Sequence, residues 1–130
     1  MRANQTEDVL RALLDTEIKP EKDVFMKRFG VNFRIQAIDG KLINRIREQA
    51  SYPTKNGKQL EEDKFSALII AKACIIPDFL DKNILDKFGP TPADAAMNRL
   101  LAGEIAKLSS EILDLSGFGD EDEAIDEIKN

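Results

Sequence analysis

The sequence predicts an α+β fold that is mainly helical, with four to five helices and one β-hairpin near residues 23–38. Apolar side chains recur at helical spacing over most of the 130 residues, whereas residues 31–37 alternate between apolar and polar side chains. The predicted organisation is a single helical domain with a hairpin over residues 1–119, followed by an acidic C-terminal tail over residues 120–130.

The first predicted helix spans about residues 5–16. Asn4 and Glu7 have the spacing of a capping box, in which Asn4 is the N-cap and Glu7 is the third helical residue. Apolar side chains then follow at intervals that place them on one helix face. The residues of this stripe are Val9, Leu10, Leu13 and Leu14. Pro20 is expected to end the region.

Residues 31–37 predict a β-strand with one buried face, because a polar residue separates each apolar residue from the next. The apolar members are Val31, Phe33, Ile35 and Ala37. The preceding segment, residues 24–29, is the predicted partner strand, with Gly30 in the turn. Because a lone hairpin is only marginally stable in water, we expect this one to pack on helices or on another chain.

Two registers of this hairpin stay open, because a shift of one residue exchanges the two faces of a strand. A two-residue turn at positions 30–31 places Val24 and Met26 beside the apolar face of the second strand. A shift of one residue places Phe25 and Phe29 there instead.

The middle of the chain predicts two further helices separated by a turn-rich loop over residues 52–58. Asp39 is a candidate N-cap for the first. Its apolar stripe consists of Leu42, Ile43, Ile46 and Ala50. Residues 59–76 predict a central, buried helix, because apolar side chains surround its second half, and Pro77 is expected to end it. Residues 78–88 are expected to hold one or two short helical turns.

Thr91 and Pro92 form the clearest helix start in the sequence, with Thr91 as the N-cap and Pro92 in the first helical position. One helix of about 24 residues is predicted from there to Ser116. Gly117 fits the left-handed conformation that often follows a helix.

The C-terminal segment holds three candidate partner-binding residues, Phe118, Ile125 and Ile128. Phe118 either folds back onto Leu113 as part of the helix end or is held by a partner. Ile125 and Ile128 form a sparse apolar stripe among acidic residues. Such a segment does not hold a helix alone but can fold when it docks, so a frayed final turn and a docking segment both stay open.

The formal charge is concentrated at the C-terminus. Residues 120–130 contain six acidic residues and one lysine, which equals the whole net charge of −5 and leaves a neutral body. A general nucleic-acid binder is expected to present a net basic face, so the neutral body argues against that class. The acidic run lacks the ligand spacing of an EF-hand, which favours a solvated tail over a calcium site.

The sequence lacks the usual arrangements of catalytic and metal-binding residues, although its 24 Asp and Glu residues leave a two-carboxylate site open by count. There is no histidine, and the single cysteine, Cys74, lies among apolar residues without a neighbouring base. We therefore predict that Cys74 is a buried hydrophobic residue, and that the protein has no catalytic residues, no metal site and no cofactor. Without a long apolar run or a signal segment, a cytoplasmic protein with no membrane partner is expected.

Seven segments, taken together, resemble the XkdN-like phage tail assembly chaperones, which are encoded by Bacillus prophages of the PBSX and skin-element type and by related long-tailed phages. The segments are TEIKPE (16–21), VFMKRFGVNF (24–33), IDGK (38–41), NRIREQA (44–50), KFSALIIAKAC (64–74), LAGEIAKL (101–108) and LSGFGD (115–120). They cover nearly the whole chain in order.

This resemblance implies a non-enzymatic assembly factor in the bacterial cytoplasm that is absent from the mature virion. It implies the phage tape-measure protein and the major tail-tube protein as partners, and a homo-oligomer stays open. The family supplies no catalytic residues and no defined binding motif to carry over. Two other functions also stay open: a structural component of the tail or baseplate, and a small helical nucleic-acid-binding regulator.

Overall fold

The computed structural model describes residues 2–16 and 19–118, with side chains from residue 5 onward. Within these residues the chain forms six helices, α1 (Arg2–Asp15), α2 (Gly40–Gln49), α3 (Glu62–Ala73), α4 (Lys82–Phe88), α5 (Pro92–Arg99) and α6 (Ala102–Leu115). The strands are β1 (Glu21–Met26), β2 (Val31–Gln36), β3 (Ser51–Thr54), β4 (Gly57–Leu60) and β5 (Cys74–Ile76). The fold is α+β and mainly α, as predicted, with one helix more than expected.

The predicted hairpin is formed by β1 and β2, and its inner face matches the first of the two registers. Val24 lies opposite Phe33, and both Val24 and Met26 are buried, whereas Phe25 is 54% exposed. The two-residue turn of that register is wrong, because four residues join the strands. Gly30 ends this turn with φ of 69°, a conformation that glycine adopts without steric cost.

The prediction of one helix over residues 59–76 is wrong at its C-terminal end, because α3 stops at Ala73 and the next three residues form β5. Ile76 precedes Pro77, and a residue before proline is sterically driven out of the helical conformation. The preceding residues are apolar and suit a strand, and β2 offers a free edge. β5 pairs there with β2, so the sheet order is β1-β2-β5.

The loop predicted at residues 52–58 is instead a second hairpin, in which β3 and β4 pair through a tight turn that leads into Gly57, with φ of 111°. All of its side chains are exposed or half-buried. Because neither face is buried, the sequence carries no apolar alternation, and the pattern that identifies strands is missing.

The single 24-residue helix predicted after Thr91 is also wrong, because the chain breaks it into α5 and α6. The predicted start is confirmed: the Thr91 side chain accepts a hydrogen bond from the Asp94 N–H, at 3.2 Å. At the break, Leu100 and Leu101 are extended, and the Glu104 carboxylate accepts from the Leu101 N–H, at 2.8 Å. The break lets Leu100 enter the core while Leu101 stays exposed.

Of three further predictions about helix ends, those for Asp39 and Gly117 are confirmed and that for Asn4 is wrong. Asp39 caps α2 as predicted, since its carboxylate accepts from the Leu42 N–H, at 2.8 Å. Asn4 is not an N-cap, because α1 begins at Arg2 and Asn4 lies inside it. Gly117 has φ of 102° after α6, as its predicted left-handed conformation requires.

The core is built around α3, which packs on α2, α5 and α6, while α6 also packs on β1 and β2. This confirms the predicted central helix. The fully buried side chains at the centre are Met26, Ile35, Ile46, Ile69, Ile70, Leu108 and Ile112. Cys74 is buried as predicted, at 6% exposure.

Candidate partner-binding surfaces

A groove of about 880 Å³ lies beside α3, between α5 and the segment that follows β5. We call it the α3–α5 groove. Its apolar lining consists of Leu68, Ala71, Ile75, Leu80, Pro92, Ala93 and Met97. Two of these side chains stand out at its edge, since Leu80 is 67% and Met97 is 41% exposed. An open apolar surface of this kind is typical of a site that another macromolecule covers.

The helical spacing of α3 explains one side of the groove. Lys64, Leu68 and Lys72 follow one another at intervals of four, so they lie along one face of the helix and line the groove together. Asp78 and Asp94 line it from other elements. The groove therefore combines an apolar surface with charged groups of both signs, which suits an amphipathic partner better than a uniformly charged one.

Cys74 also lines the groove, and its surroundings make it unreactive. Burial raises the pKa of its thiol to about 12, with the negative charge of Asp78 acting in the same direction and a backbone hydrogen bond from Ile76 opposing them. A thiol with this pKa is protonated at neutral pH and is a poor nucleophile. Cys74 therefore contributes apolar surface to the groove and no chemistry.

The second open surface is the apolar stripe of α1. Its side chains are Val9 (54% exposed), Leu10 (52%), Leu13 (74%) and Leu14 (80%). We call this set the α1 stripe. A helix of 14 residues is marginal by itself in water, and amphipathic helices gain most of their stability by packing the apolar face. The α1 stripe therefore has the properties of a surface that awaits a partner.

A third cluster joins the hairpin to the break between α5 and α6. The Arg28 guanidinium donates two hydrogen bonds to the Glu104 carboxylate, at 2.7 and 2.9 Å, and stacks on Phe29 at 4.4 Å. Arg99 stacks on the same ring at 4.8 Å. The bonds from Arg28 lower the pKa of Glu104 below its ordinary value. Arg28 and Glu104 thus bind each other, and their contacts attach the hairpin to the start of α6. We therefore assign this cluster a structural role.

The residues predicted from sequence to bind a partner are not part of these surfaces in the described chain. Phe118 follows the end of α6 and is 44% exposed. Ile125 and Ile128 lie outside the described residues. Sequence reasoning missed Leu68, Leu80 and Met97. Leu68 could have been recognised from the sequence, because α3 is apolar on nearly all sides and its neighbouring elements need not bury every side. Nothing in the sequence marks Leu80 or Met97.

The part of the chain that the structure describes contains no group of three or more His, Cys, Asp or Glu residues placed to hold a metal ion. Among the same residues, no helix combines the length and the apolar character needed to cross a bilayer.

In the comparison with protein families, the model described as Phage XkdN-like tail assembly chaperone protein, TAC, matches residues 10–129. No curated protein matches the chain. Among solved structures, the crystal structure of the protein yqbn is similar, with a TM-score of 0.63 and 23% sequence identity over 79% of this chain and 89% of that chain. At this identity the likeness supports the fold alone.

Proposed function

Because the chain belongs to the XkdN-like phage tail assembly chaperones, whose family model matches residues 10–129, we propose that it binds the tape-measure protein and the major tail-tube protein while a tail is assembled. It works in the host cytoplasm, by reversibly covering apolar surface on its client, and leaves before the virion is complete. Membership of a chaperone family also indicates a non-enzymatic role.

The observation that carries this proposal is the α3–α5 groove. Its apolar lining and exposed edge suit a helix that inserts one apolar face, with anchors at intervals of three and four residues. The family resemblance implies a tape-measure client with long apolar helices, which would aggregate if they were left uncovered. Lys64 and Lys72 on one side and Asp94 on another leave charged groups for the polar flanks of such a helix.

The volume of the groove alone does not distinguish a helix from a small molecule, because about 880 Å³ falls within the usual range of ligand pockets. Exposure does distinguish them. A small-molecule site encloses most of its ligand, whereas Leu80 at 67% and Met97 at 41% exposure stand at an open edge. An elongated partner that continues past the edge makes better use of these side chains.

The acidic C-terminal tail, residues 120–130, supplies a second contact in this proposal. Phe118, Ile125 and Ile128 form sparse apolar anchors that engage the client, and the six acidic residues of the tail keep the complex soluble. The half-exposed position of Phe118 after α6 is compatible with this role.

Co-expression with the tape-measure protein from the same gene cluster tests the proposal. The groove variant carries Leu80→Asp and Met97→Asp, which place two negative charges on the apolar surface at solvent-exposed positions. Val31→Asp is the matched control, because Val31 is an exposed apolar residue at 53% that does not line the groove. We expect the groove variant to lose client affinity by about tenfold or more, the equivalent of one buried apolar side chain.

Pull-down recovery and client solubility are the measurements. Equal recovery with the groove variant and with Val31→Asp would rule out the groove as the binding surface. If the native chain changes neither the solubility nor the recovery of the tape-measure protein or the tail-tube protein, the chaperone function itself is wrong for these clients. Mass spectrometry of purified particles separates the structural alternative, since stoichiometric presence in the virion contradicts an assembly factor that leaves.

A further inference from the structure

The α3–α5 groove and the α1 stripe are two open apolar surfaces of complementary shape in one chain, a concave surface and a helix face. We propose that, in the absence of a client, α1 of a second copy occupies the groove, and that two copies exchange their α1 helices reciprocally. This inference rests on the proposed function only in taking the groove as a helix-binding site. The client then displaces α1, so the free chaperone does not expose both surfaces at once.

The α1 stripe has the geometry that the groove is proposed to recognise. Val9, Leu10, Leu13 and Leu14 recur at one, three and four residues, so they lie on one face of a helix. The charged residues of the last two turns, Arg11 and Asp15, fall on the opposite face. Every described side chain of α1 is exposed, so no burial within the chain competes with docking.

Charge at the edge of the stripe bears on how α1 would lie in the groove. Glu7 lies two turns before Leu14 and so stands on the same side of the helix, at the margin of the apolar face. The groove lining carries charges of both signs, with Lys64 and Lys72 on α3 and with Glu61, Asp78 and Asp94 around them. Pairing of Glu7 with one of the two lysines therefore selects the orientation of the helix and adds little to its affinity at exposed positions.

A second copy is the occupant because the groove and the stripe of the same chain stay apart. Pro20 follows α1 closely and its carbonyl accepts from the Ala37 N–H, at 2.8 Å, which fixes the end of the connection beside Gln36 in the groove lining. Even so, each side chain of the α1 stripe is more than half exposed. At the edge of the groove, Leu80 is 67% and Met97 is 41% exposed. Reciprocal exchange between two copies covers both surfaces in each with one two-fold contact.

The area involved predicts a weak and exchangeable dimer. Burying both stripes and the matching groove surface removes on the order of 1,000 Å² of accessible surface, which is at the lower limit for a specific interface. The entropy lost on association and on ordering the side chains offsets much of the free energy gained by burying this area. We therefore expect a dissociation constant on the order of micromolar. A client with a longer apolar helix then outcompetes α1.

Sedimentation velocity of the full chain without client, over a range from about 1 to 500 μM that brackets this micromolar affinity, tests the proposal. We expect a concentration-dependent dimer for the native chain. Leu13→Asp combined with Leu14→Asp, and separately Leu80→Asp combined with Met97→Asp, should each weaken it by at least about tenfold. Ala12→Asp is the matched control, because Ala12 is exposed and lies outside the stripe on the same helix.

Mixing the two variants gives a result that general self-association does not produce. The stripe variant keeps an intact groove and the groove variant keeps an intact α1, so each mixed dimer retains one helix–groove contact. We expect the mixture to form more dimer than either variant alone. A native chain that is monomeric at all concentrations, or a dimer unaffected by both variants, overturns the inference, and a monomer in which α1 is protected from hydrogen exchange assigns α1 to its own groove.

Client binding separates this inference from the proposed function. The stripe variant keeps the groove and loses the competing helix, so it should bind the tape-measure protein at least as well as the native chain does. If the native chain dimerises through the groove but recovers no client, the proposed function fails and the exchange stands. If client recovery requires the groove while dimerisation is absent, the exchange fails and the function stands.

Discussion

α1 and α6 are both helices of 14 residues with an apolar stripe, but the chain uses them in opposite ways. In α6, Leu108 and Ile112 are 0% exposed against α3 and the hairpin, whereas in α1, Leu13 and Leu14 are 74% and 80% exposed. The comparison shows that helical periodicity predicts a helix and its apolar face. What covers that face depends on the rest of the fold or on another molecule.

Polar contacts reinforce the difference at α6. The Ser116 hydroxyl accepts from the Ile38 N–H at 2.9 Å, and the Lys107 ammonium donates to the Phe25 carbonyl at 2.8 Å. Together with the ion pair between Arg28 and Glu104, these bonds attach both ends and the middle of α6 to the chain around the hairpin. Burial therefore comes with specific attachment, and α6 belongs to the cooperative core.

The largest expected effect contrasts equivalent truncations in the two helices. Ile112→Ala removes a fully buried side chain and leaves a cavity, so we expect the free energy of unfolding to fall by about 2–5 kcal/mol. Leu13→Ala, in α1, should change it by less than about 0.5 kcal/mol at concentrations where the chain is monomeric. Urea denaturation of both variants measures this, and similar losses would show that α1 is packed on the body in solution.

Glycine positions provide a second contrast between tight and open parts of the molecule. A Cβ at Gly89, after α4, would lie 2.5 Å from the Leu85 carbonyl oxygen, so the backbone must shift. We expect Gly89→Ala to cost about 1–3 kcal/mol of unfolding free energy. Gly103→Ala, in the first turn of α6, meets nothing within 4 Å and should be neutral or slightly stabilising, because alanine is the better helix former. The measurement is the shift of the denaturation midpoint of each variant relative to the native chain. Shifts to lower denaturant concentration of similar size in both variants would contradict this prediction.

The attachment of α6 predicts a smaller, pH-dependent effect. The hydrogen bonds from Arg28 lower the pKa of Glu104, so the bond stabilises the fold above the ordinary glutamate pKa of about 4.3 and loses this contribution as pH falls through the lowered pKa. Glu104→Gln keeps an acceptor for the Leu101 N–H but removes the charge, whereas Glu104→Ala removes both. We expect melting temperature to fall in the order native, Gln, Ala at pH 7.

The difference between the native chain and Glu104→Gln should shrink as the pH falls through the lowered pKa of Glu104, because the carboxylate is then protonated. A constant difference from pH 7 to pH 3, measured by thermal denaturation, would show that charge at Glu104 does not contribute. Arg99→Lys serves as the control for stacking on Phe29, because it keeps a positive charge near Glu104 while it changes the planar contact.

The parts of the fold that were predictable are those with local signals. The caps at Asp39 and Thr91, the left-handed Gly117 and the inner face of the first hairpin depend on a few neighbouring residues or on simple alternation. The β5 strand forms because β2 has a free edge, which cannot be seen in the local sequence. The break at Leu100 depends on the core, because this side chain is buried only when the backbone leaves the helical conformation. The amphipathic pattern continues through the break, so periodicity alone could not reveal it.

The candidate site was less predictable for a related reason. Leu80 and Met97 stand at the groove edge because α3, α5 and the segment after β5 converge there, and none of these contacts is local in sequence. The α1 stripe, in contrast, can be recognised in the sequence as the apolar face of a helix. The sequence does not show which surface covers that face. Local pattern thus identified one half of the proposed contact, and only the assembled fold identified the other.

Phe118→Ala should change stability only slightly, and it tests whether the residue after α6 is packed on the body, as α6 is, or is open to a partner, as α1 is. With 44% of Phe118 exposed, the fold covers only part of this side chain, so we expect a loss below about 1 kcal/mol of unfolding free energy. If Phe118 contacts the client, recovery of the tape-measure protein in pull-downs should fall by several fold while the melting temperature stays nearly constant. A stability loss above about 2 kcal/mol with unchanged client recovery would assign Phe118 to the helix end. Unchanged stability together with unchanged recovery would remove it from both roles, and would leave Ile125 and Ile128 as the anchors to test in the acidic tail.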